Sequence, residues 1–386
     1  MSNVLVLNCG SSSVKFALIN PKTSETIFSG LAENISQKNC KVTFKTDTKD
    51  TIEIKNGSYE DIFTKVKEYL QDKGHLESVI AVGHRVVHGG QYFDSSVVIT
   101  EDNLDKIKES IPLAPLHNPA NVEGIEFCQK IFPSLPQVAV FDTAFHHSIA
   151  RHVAEYAIPR ELTDNYHIKK YGFHGTSHSY VSKEAAKILG KEKGNFIVAH
   201  LGNGCSLSAV VNGESVDTTM GFTPLDGLIM GTRSGTVDAG IFRFLANNLG
   251  WNAHKITDVL NKESGLQGIC GQNDMRAIEE LAFEKNDENA KLAIQMFCHR
   301  VAHYAASYMM YFKSFDGLVF TGGIGENGDV MRRDIVKNLE NIGFKIDEAK
   351  NSTRGETFIS ATDSHNVMVV ATNEELMIAL DTINLI

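Results

Sequence analysis

Val4-Leu-Val-Leu-Asn-Cys-Gly-Ser-Ser-Ser-Val-Lys-Phe-Ala-Leu-Ile19 is the stretch that decides the fold. An apolar run ending at Asn8 meets a polar turn, Cys9 to Ser13, and a second apolar run starts at Val14. Val, Ile and Leu bounded by Gly and Asn are what paired strands and a tight turn require. The same order returns in Phe196-Ile-Val-Ala-His200, then Leu201-Gly-Asn-Gly204, then Cys205-Ser-Leu-Ser-Ala-Val-Val211. Each copy runs on through a turn, Asn20-Pro21 or Asn212-Gly213, into another strand-like piece. A second shared feature is a short apolar strand leading into a polar or Gly-rich turn. Gln137-Val-Ala-Val-Phe-Asp142 precedes Thr143-Ala144, and Gly317-Leu-Val-Phe-Thr-Gly-Gly323 precedes Ile324-Gly-Glu-Asn-Gly328. Two halves with one order of elements predict a duplicated α/β domain, with a nucleotide in the cleft between the copies.

The rest of the chain fits that frame. Its 386 residues suggest two or three domains. Lys and Arg total 37 against 47 Asp and Glu, a net charge of −10, so no basic field draws nucleic acid or an anionic membrane. An anionic ligand must be held by a few placed basic groups. No apolar run approaches the roughly 18 residues of a membrane span. The N-terminus has no basic region and turns polar too early for a signal peptide, so it reads as a buried first strand. Six scattered cysteines without zinc spacing read as reduced thiols, and the setting as cytoplasmic.

Three helices stand out. Ser58-Tyr-Glu-Asp61 has the form of a capping box ahead of Ile62, Phe63, Val66, Tyr69 and Leu70 on one face, with Gly74 as the stop. From Glu288 to Lys313 the pattern predicts a stripe of Leu292, Met296, Phe297, Val301, Tyr304, Ala305 and Tyr308. Asn373 is the expected cap of a last helix, Glu374 to Leu380. Between Glu33 and Gly57, Val42/Phe44 and Ile52/Ile54 alternate with polar residues, which predicts a half-exposed hairpin.

No GxxxxGK[ST] occurs, so the P-loop class has no sequence support. Gly323 to Gly328 matches GxGxxG between a strand and a helix, Asp329 to Leu339, with Asp347 loosely placed for a ribose. A dinucleotide site there leaves the other two Gly turns without a role. Two hairpin turns gripping a triphosphate explain more residues. Glycines let backbone N–H groups approach phosphate oxygens, Ser11 and Ser13 add hydroxyl donors, and Lys15 adds a point charge.

The motifs now on the page, with several more in order, closely resemble the acetate kinase family. They are VLVLNCGSSSVKF from Val4, AVGHRVVHGG from Ala81, APLHNP from Ala114, VFDTAF from Val140, YGFHGTSH from Tyr171, HLGNG from His200, TRSG from Thr232, DMR from Asp274 and GGIGEN from Gly322. The resemblance runs essentially end to end. It implies two ribonuclease H-like domains of the actin-type ATPase superfamily: 1–146 closed by 376–386, and 147–375 with most nucleotide contacts. It implies a homodimer and Mg²⁺-dependent, reversible transfer of the ATP γ-phosphoryl to acetate, giving acetyl phosphate and ADP, with Mn²⁺ able to replace Mg²⁺.

Site residues follow from the same resemblance. Arg85 resembles the carboxylate binder, with Val87, Leu116, Phe173 and Pro224 around the acyl group. Arg233 and His174 resemble the transition-state stabilisers, and Asp142 the active-site aspartate. Ser11, Ser13, Lys15, His200, Leu201, Gly202, Asn203 and Gly204 match phosphate contacts. Asp274, Met275, Arg276, Gly323, Ile324, Gly325, Glu326 and Asn327 match adenosine and phosphate contacts, and Asn8 and Glu374 match the metal ligands. Such a reaction is mostly positioning and charge stabilisation, for which bidentate arginines suit carboxylate and phosphoryl oxygens. Acetate is already ionised at neutral pH, so Asp142 has no proton to remove; it is expected to position Mg²⁺ through water or to orient an arginine. His174/His178 and His84/His88 have i, i+4 spacing, but no HExxH, so zinc is not expected; His299/His303 flank a helix away from its apolar stripe.

One departure is Thr236, where the family usually has Asp; Asp238 lies close by. Cys9 and Cys205 sit at phosphate turns, where oxidation is expected to inhibit. Two alternatives stay open: a kinase preferring propionate or butyrate, and a non-metabolic ATP switch on the same fold.

Overall fold

The opening residues fold as an antiparallel pair, β1 (Asn3–Gly10) and β2 (Ser13–Asn20), with Gly10 opposite Ser13. They belong to a computed structural model that describes every residue except Met1, Lys38, Asp47 and Asn56. Antiparallel pairing continues through β3 (Glu25–Glu33), β4 (Cys40–Lys45) and β5 (Lys49–Ile54). On the other side of β1 lies β6 (Val79–Val86), parallel to it. A short edge strand, β7 (Val97–Val98), runs antiparallel to β8 (Gln137–Phe141), which is itself parallel to β6.

The second sheet is built from β9 (Phe196–Leu201), β10 (Cys205–Val211), β11 (Glu214–Thr218), β12 (Gly317–Thr321) and β13 (Val367–Val369). Asn212 and Gly213, both at positive φ, make the tight β10–β11 turn. The strand order β11-β10-β9-β12-β13 repeats β3-β2-β1-β6-β8 of the first sheet. Directions match too: three strands antiparallel, then two added parallel. The duplicated α/β order expected from the paired hairpins is therefore present, in the ribonuclease H-like form that the family resemblance implies, with β4, β5 and β7 as additions to the first copy.

The chain divides into two units, Met1–Phe145 with Asn373–Ile386, and His146–Thr372. A division at 376 cuts a single element, since the last helix is continuous over Glu374–Ile383 and packs on β1, β6 and β8. Glu374 and Glu375 thus go with the first unit. In that unit Leu5, Leu7, Val14, Phe16, Phe28, Phe44, Ile62 and Phe63 form the core beneath helix Tyr59–Asp72. The capping box at Ser58 and Asp61 forms as expected, and so does the Asn373 cap.

The half-exposed hairpin expected between Glu33 and Gly57 forms as β4 and β5, with Val42 and Phe44 buried and β5 largely exposed. Local outcomes differ in two places. Helix Glu288–Tyr308 ends before Lys313 and buries Ala290, Ala293, Ile294, Phe297, Cys298, Val301, Ala302, Ala305 and Tyr308. Leu292 and Met296 face out, because small residues let a neighbouring stripe pack closer. Second, Gly322–Asn327 is a helix, not a Gly-rich turn.

Candidate active site

Arg85 sits on β6 and Asp142 follows β8, the neighbouring parallel strand, so register brings their side chains together. Arg85 Nε donates to Asp142 Oδ1 at 3.0 Å and Nη2 donates to Oδ2 at 2.5 Å. Its Nη1 donates to Asn8 Oδ1 at 3.2 Å. Burial opposes the charge on Arg85, but Asp142 and Glu374 outweigh it and raise the pKa, so the guanidinium stays charged. A guanidinium has five N–H groups, and these bonds use three. Asp142 thus grips Arg85 along one edge, the contact that an arginine-orienting role requires. In the same unit Glu374 caries a carboxyl raised by burial, and by Asp142 and Glu375, against the pull of Arg85 and Lys15.

The loop after Arg85 rests on two asparagines in the first turns of helix Asn118–Ile131. Asn118 Oδ1 accepts from the His88 N–H at 3.1 Å, while its Nδ2 donates to the His88 carbonyl at 2.9 Å. Asn121 Oδ1 accepts from the Val87 N–H at 3.0 Å, and its Nδ2 donates to the Cys9 carbonyl at 2.6 Å. The β1–β2 hairpin and the loop bearing Val87 are thereby fastened to one helix. Sequence reasoning missed both roles; the only signal was Asn118 inside APLHNP. Val87 is buried and Leu116 is exposed on this unit, and Ser11, Ser13 and Lys15 lie at the β1–β2 turn. Lys15 also borders a cavity of about 640 Å³ with Lys45, Lys49 and Glu375.

In the second unit, His174 occupies the left-handed backbone region (φ 55°) immediately before helix Gly175–Ile188. Non-glycine residues held there are strained, a feature that clusters at functional sites. His174 Nδ1 and Ser206 Oγ are 2.9 Å apart. A Cβ built on Gly204 would stand 3.4 Å from His174 Nε2 and 3.8 Å from Arg233 Nη1. The imidazole, the guanidinium and the β9–β10 turn therefore converge on one point. Arg233 Nη1 donates to the Pro224 carbonyl at 3.3 Å, and burial lowers its pKa. Phe173, next to His174, is buried; Pro224 is half-buried.

Thr236 holds the loop that carries Arg233. Its hydroxyl donates to Asp226 Oδ1 at 2.6 Å and accepts from the Gly227 N–H at 2.9 Å, with Tyr304 Oη at 3.0 Å. Asp226 thus supplies the nearby carboxylate, while Asp238 accepts from the Gly240 N–H.

A cavity of about 780 Å³ lies in the same unit. Gly202, Asn203, Asp274, Met275, Arg276, Gly323, Ile324 and Asn327, all expected at the nucleotide, line it together with Asn273, Glu279 and Gly328, which the family motifs did not single out. Asp274 caps helix Met275–Glu279 and pairs with Arg276 through both carboxylate oxygens. Gly322 has φ 76°, and a Cβ there would meet the Leu201 backbone at 2.8 Å, so only glycine fits this turn into the helix.

Gly325 and Glu326 do not line the cavity. Gly325 is buried against β9 and β12, and Glu326 Oε1 accepts from the Gly322 and Thr372 N–H groups at 3.0 and 3.1 Å. Buried Arg332 donates to the Gly325 and Glu326 carbonyls at 2.9 and 3.0 Å. With both ends satisfied, six residues rich in glycine hold a helix. His200 and Leu201 are also outside the cavity lining; Leu201 is fully buried, and His200 Nδ1 pairs with Ser177 Oγ at 2.8 Å.

The cysteines correct another expectation. Cys9 and Cys205 are buried, and burial pushes each thiol up to about 12, which makes them poor targets for oxidation. All six cysteines are free, and Cys270 is the half-exposed one.

Residues 3–380 match the model of the acetokinase family. An acetate kinase of Francisella tularensis subsp. holarctica (strain OSU18) is 62% identical, with all of both chains covered. A crystal structure of a propionate kinase from Francisella tularensis subsp. tularensis SCHU S4 is 63% identical, with a TM-score of 0.98 and all of both chains covered. An acetate kinase structure from Porphyromonas gingivalis is 40% identical, with a TM-score of 0.94, covering 100% of this chain and 99% of that one. Family model, full-length relatives and fold agree, and the chain belongs to the acetokinase family of carboxyl-group phosphotransferases.

Proposed function

We propose that this enzyme transfers the γ-phosphoryl of ATP reversibly to acetate, giving acetyl phosphate and ADP by direct in-line displacement. The observation that carries the reading is the convergence of His174 Nε2 and Arg233 Nη1 beside Gly204. Donors fixed before reaction stabilise the charge spread over the phosphoryl oxygens in flight. Arg85, held by Asp142 and Asn8, keeps two N–H groups for the acceptor carboxylate. The nucleotide base and ribose occupy the cavity lined by Asp274, Met275, Ile324 and Asn327, with the phosphates along Gly202 to Gly204; taken by themselves, Ser11, Ser13 and Lys15 of the first unit are donors suited to phosphate oxygens.

Magnesium fits the donor set. Glu374, whose desolvated carboxyl lies within electrostatic reach of Asp142, and the Asn8 carbonyl oxygen would hold the ion, which usually takes one or two protein oxygens. When bound, the ion supplies charge neutralisation at the phosphates; Mn²⁺ has the same oxygen preference. The six free thiols favour a cytoplasmic setting. Among the described residues no helix is long and apolar enough to cross a membrane. Helix Gly240–Leu249 buries none of its side chains, though Ile241, Phe244 and Leu249 are apolar, which favours a homodimer.

A second reading has its own support: the 63% identical relative is described as a propionate kinase. One methylene in an apolar pocket changes binding by only about 1–3 kcal/mol, so both acids are expected to react. The test mixes enzyme, Mg-ATP, carboxylate and hydroxylamine, and compares kcat/KM for acetate, propionate and butyrate. Acyl hydroxamate that requires the acid supports the kinase reading. ATP hydrolysis indifferent to the acid contradicts it and favours the ATP switch, and a higher kcat/KM for propionate moves the assignment to the second reading.

A further inference from the structure

A buried polar chain lies behind His174. Ser206 is fully buried on β10, and its Oγ is 2.9 Å from His174 Nδ1 and 2.7 Å from His178 Nε2. His178, one helical turn after His174, is also fully buried, and its Nδ1 has no hydrogen-bond partner among the described residues. The proposed transfer uses neither Ser206 nor His178 directly.

The hydrogens follow from counting donors and acceptors. A hydroxyl has one hydrogen to give, so Ser206 donates to one ring nitrogen and accepts from the other ring. If it donated to His178 Nε2, the neutral His178 would carry its own hydrogen on Nδ1, a buried N–H with no acceptor. Orphaned buried N–H groups are rare in folded proteins, and an unfilled acceptor is better tolerated. The order that avoids the orphan runs His178 Nε2–H to Ser206 Oγ, then Ser206 O–H to His174 Nδ1. Burial lowers the His178 pKa well below the ordinary value, helped by His146 and His200, which keeps this ring neutral. With Nδ1 of His174 accepting, its hydrogen is on Nε2, the nitrogen facing Gly204 and Arg233.

We propose that Ser206 and His178 are positioning residues that hold His174 as the Nε2–H tautomer, so that a neutral imidazole donates from Nε2 to the phosphoryl group in flight. The proposal deepens the function argued above and rests on its reading that His174 meets that group. The opposite tautomer would present a lone pair to phosphoryl oxygens and repel them. The relay sets kcat through the fraction of enzyme holding the competent tautomer, and leaves ground-state binding alone.

The test is two-bond proton–nitrogen NMR on the ¹⁵N-histidine-labelled full chain without ligands, with the His174 signals identified by their loss in His174→Gln. The expected spectrum has Nε2 in the protonated range and Nδ1 in the bare range. Ser206→Ala should give mixed tautomers and a kcat lower by about tenfold, with KM for ATP and acetate within about twofold. His178→Gln keeps an N–H at the Nε2 place and should retain more kcat than His178→Leu, which has none. A wild-type His174 protonated on Nδ1 overturns the proposal, as does a Ser206→Ala enzyme that keeps a single Nε2–H tautomer. Should the variants fail to fold, the wild-type spectrum alone decides. Full kcat in His174→Ala would instead overturn the phosphoryl role beneath it, whatever the tautomer.

Discussion

At Gly204 a single missing methyl leaves room between a histidine and an arginine. Because the built Cβ is in ordinary contact at 3.4 Å and more, Gly204→Ala is expected to fold with a Tm within about 3 °C of wild type. Its methyl would stand where the proposed transfer puts a phosphoryl oxygen, so kcat should fall at least about tenfold; steady-state kinetics and a thermal melt check both halves. Cysteine chemistry gives a second expectation: a thiol reagent should label Cys270 before any other cysteine in the native protein, read by peptide mass mapping. Single residues were unevenly legible. Arg85, Asp142, His174 and Arg233 stood out through family motifs, but no spacing announced that Asp142 would grip Arg85 along one edge. That partnership depends on the register of two parallel strands far apart in sequence. Glu326 was named only as part of the family motif, and no local signal showed that its carboxylate accepts from the Gly322 and Thr372 N–H groups.

Elements carry these side chains, and helix Asn118–Ile131 shows how much depends on one of them. Asn121 joins the Cys9 carbonyl to the Val87 N–H in a buried setting. Asn121→Ala would leave both groups without a partner, at about 2–4 kcal/mol of stability by urea unfolding. It should also lower kcat/KM for acetate by about tenfold, because the loop after Arg85 loses its anchor. Capping boxes, hairpins and the two glycine turns were legible in sequence because their signals are local. The Gly322–Asn327 helix was not. Its stability comes from Arg332 and Glu326, and an arginine in Asp329-Val-Met-Arg-Arg-Asp334 gives no sign that it is buried. The inward face of Glu288–Tyr308 was displaced for a related reason: close packing favours alanine over larger apolar residues that pattern reading weights more.

For the whole molecule, the repeated strand order explains why two hairpin turns exist at all: each copy of the fold brings one. That duplication was readable because strand, turn and strand recur in matching places, while the additions β4, β5 and β7 belong to one copy alone. Acid stability is a property at this scale. His84 is buried with Nε2 donating to Gln137 Oε1, and burial lowers its pKa to about 4. The unfolded chain takes up this proton near pH 6.5 and the folded chain only near 4, so stability is full above 6.5 and falls as the pH drops between them. His84 contributes about 3 kcal/mol of that loss, which His84→Gln should reduce in unfolding measured across this range. The central claim, that His174 and Arg233 grip a phosphoryl in flight, is tested most directly by titrating ADP with and without aluminium fluoride and acetate, a planar mimic of that group. Wild type and Arg233→Ala should bind ADP alone with similar affinity, and only the wild type should gain from the mimic. An equal gain in both would contradict the account.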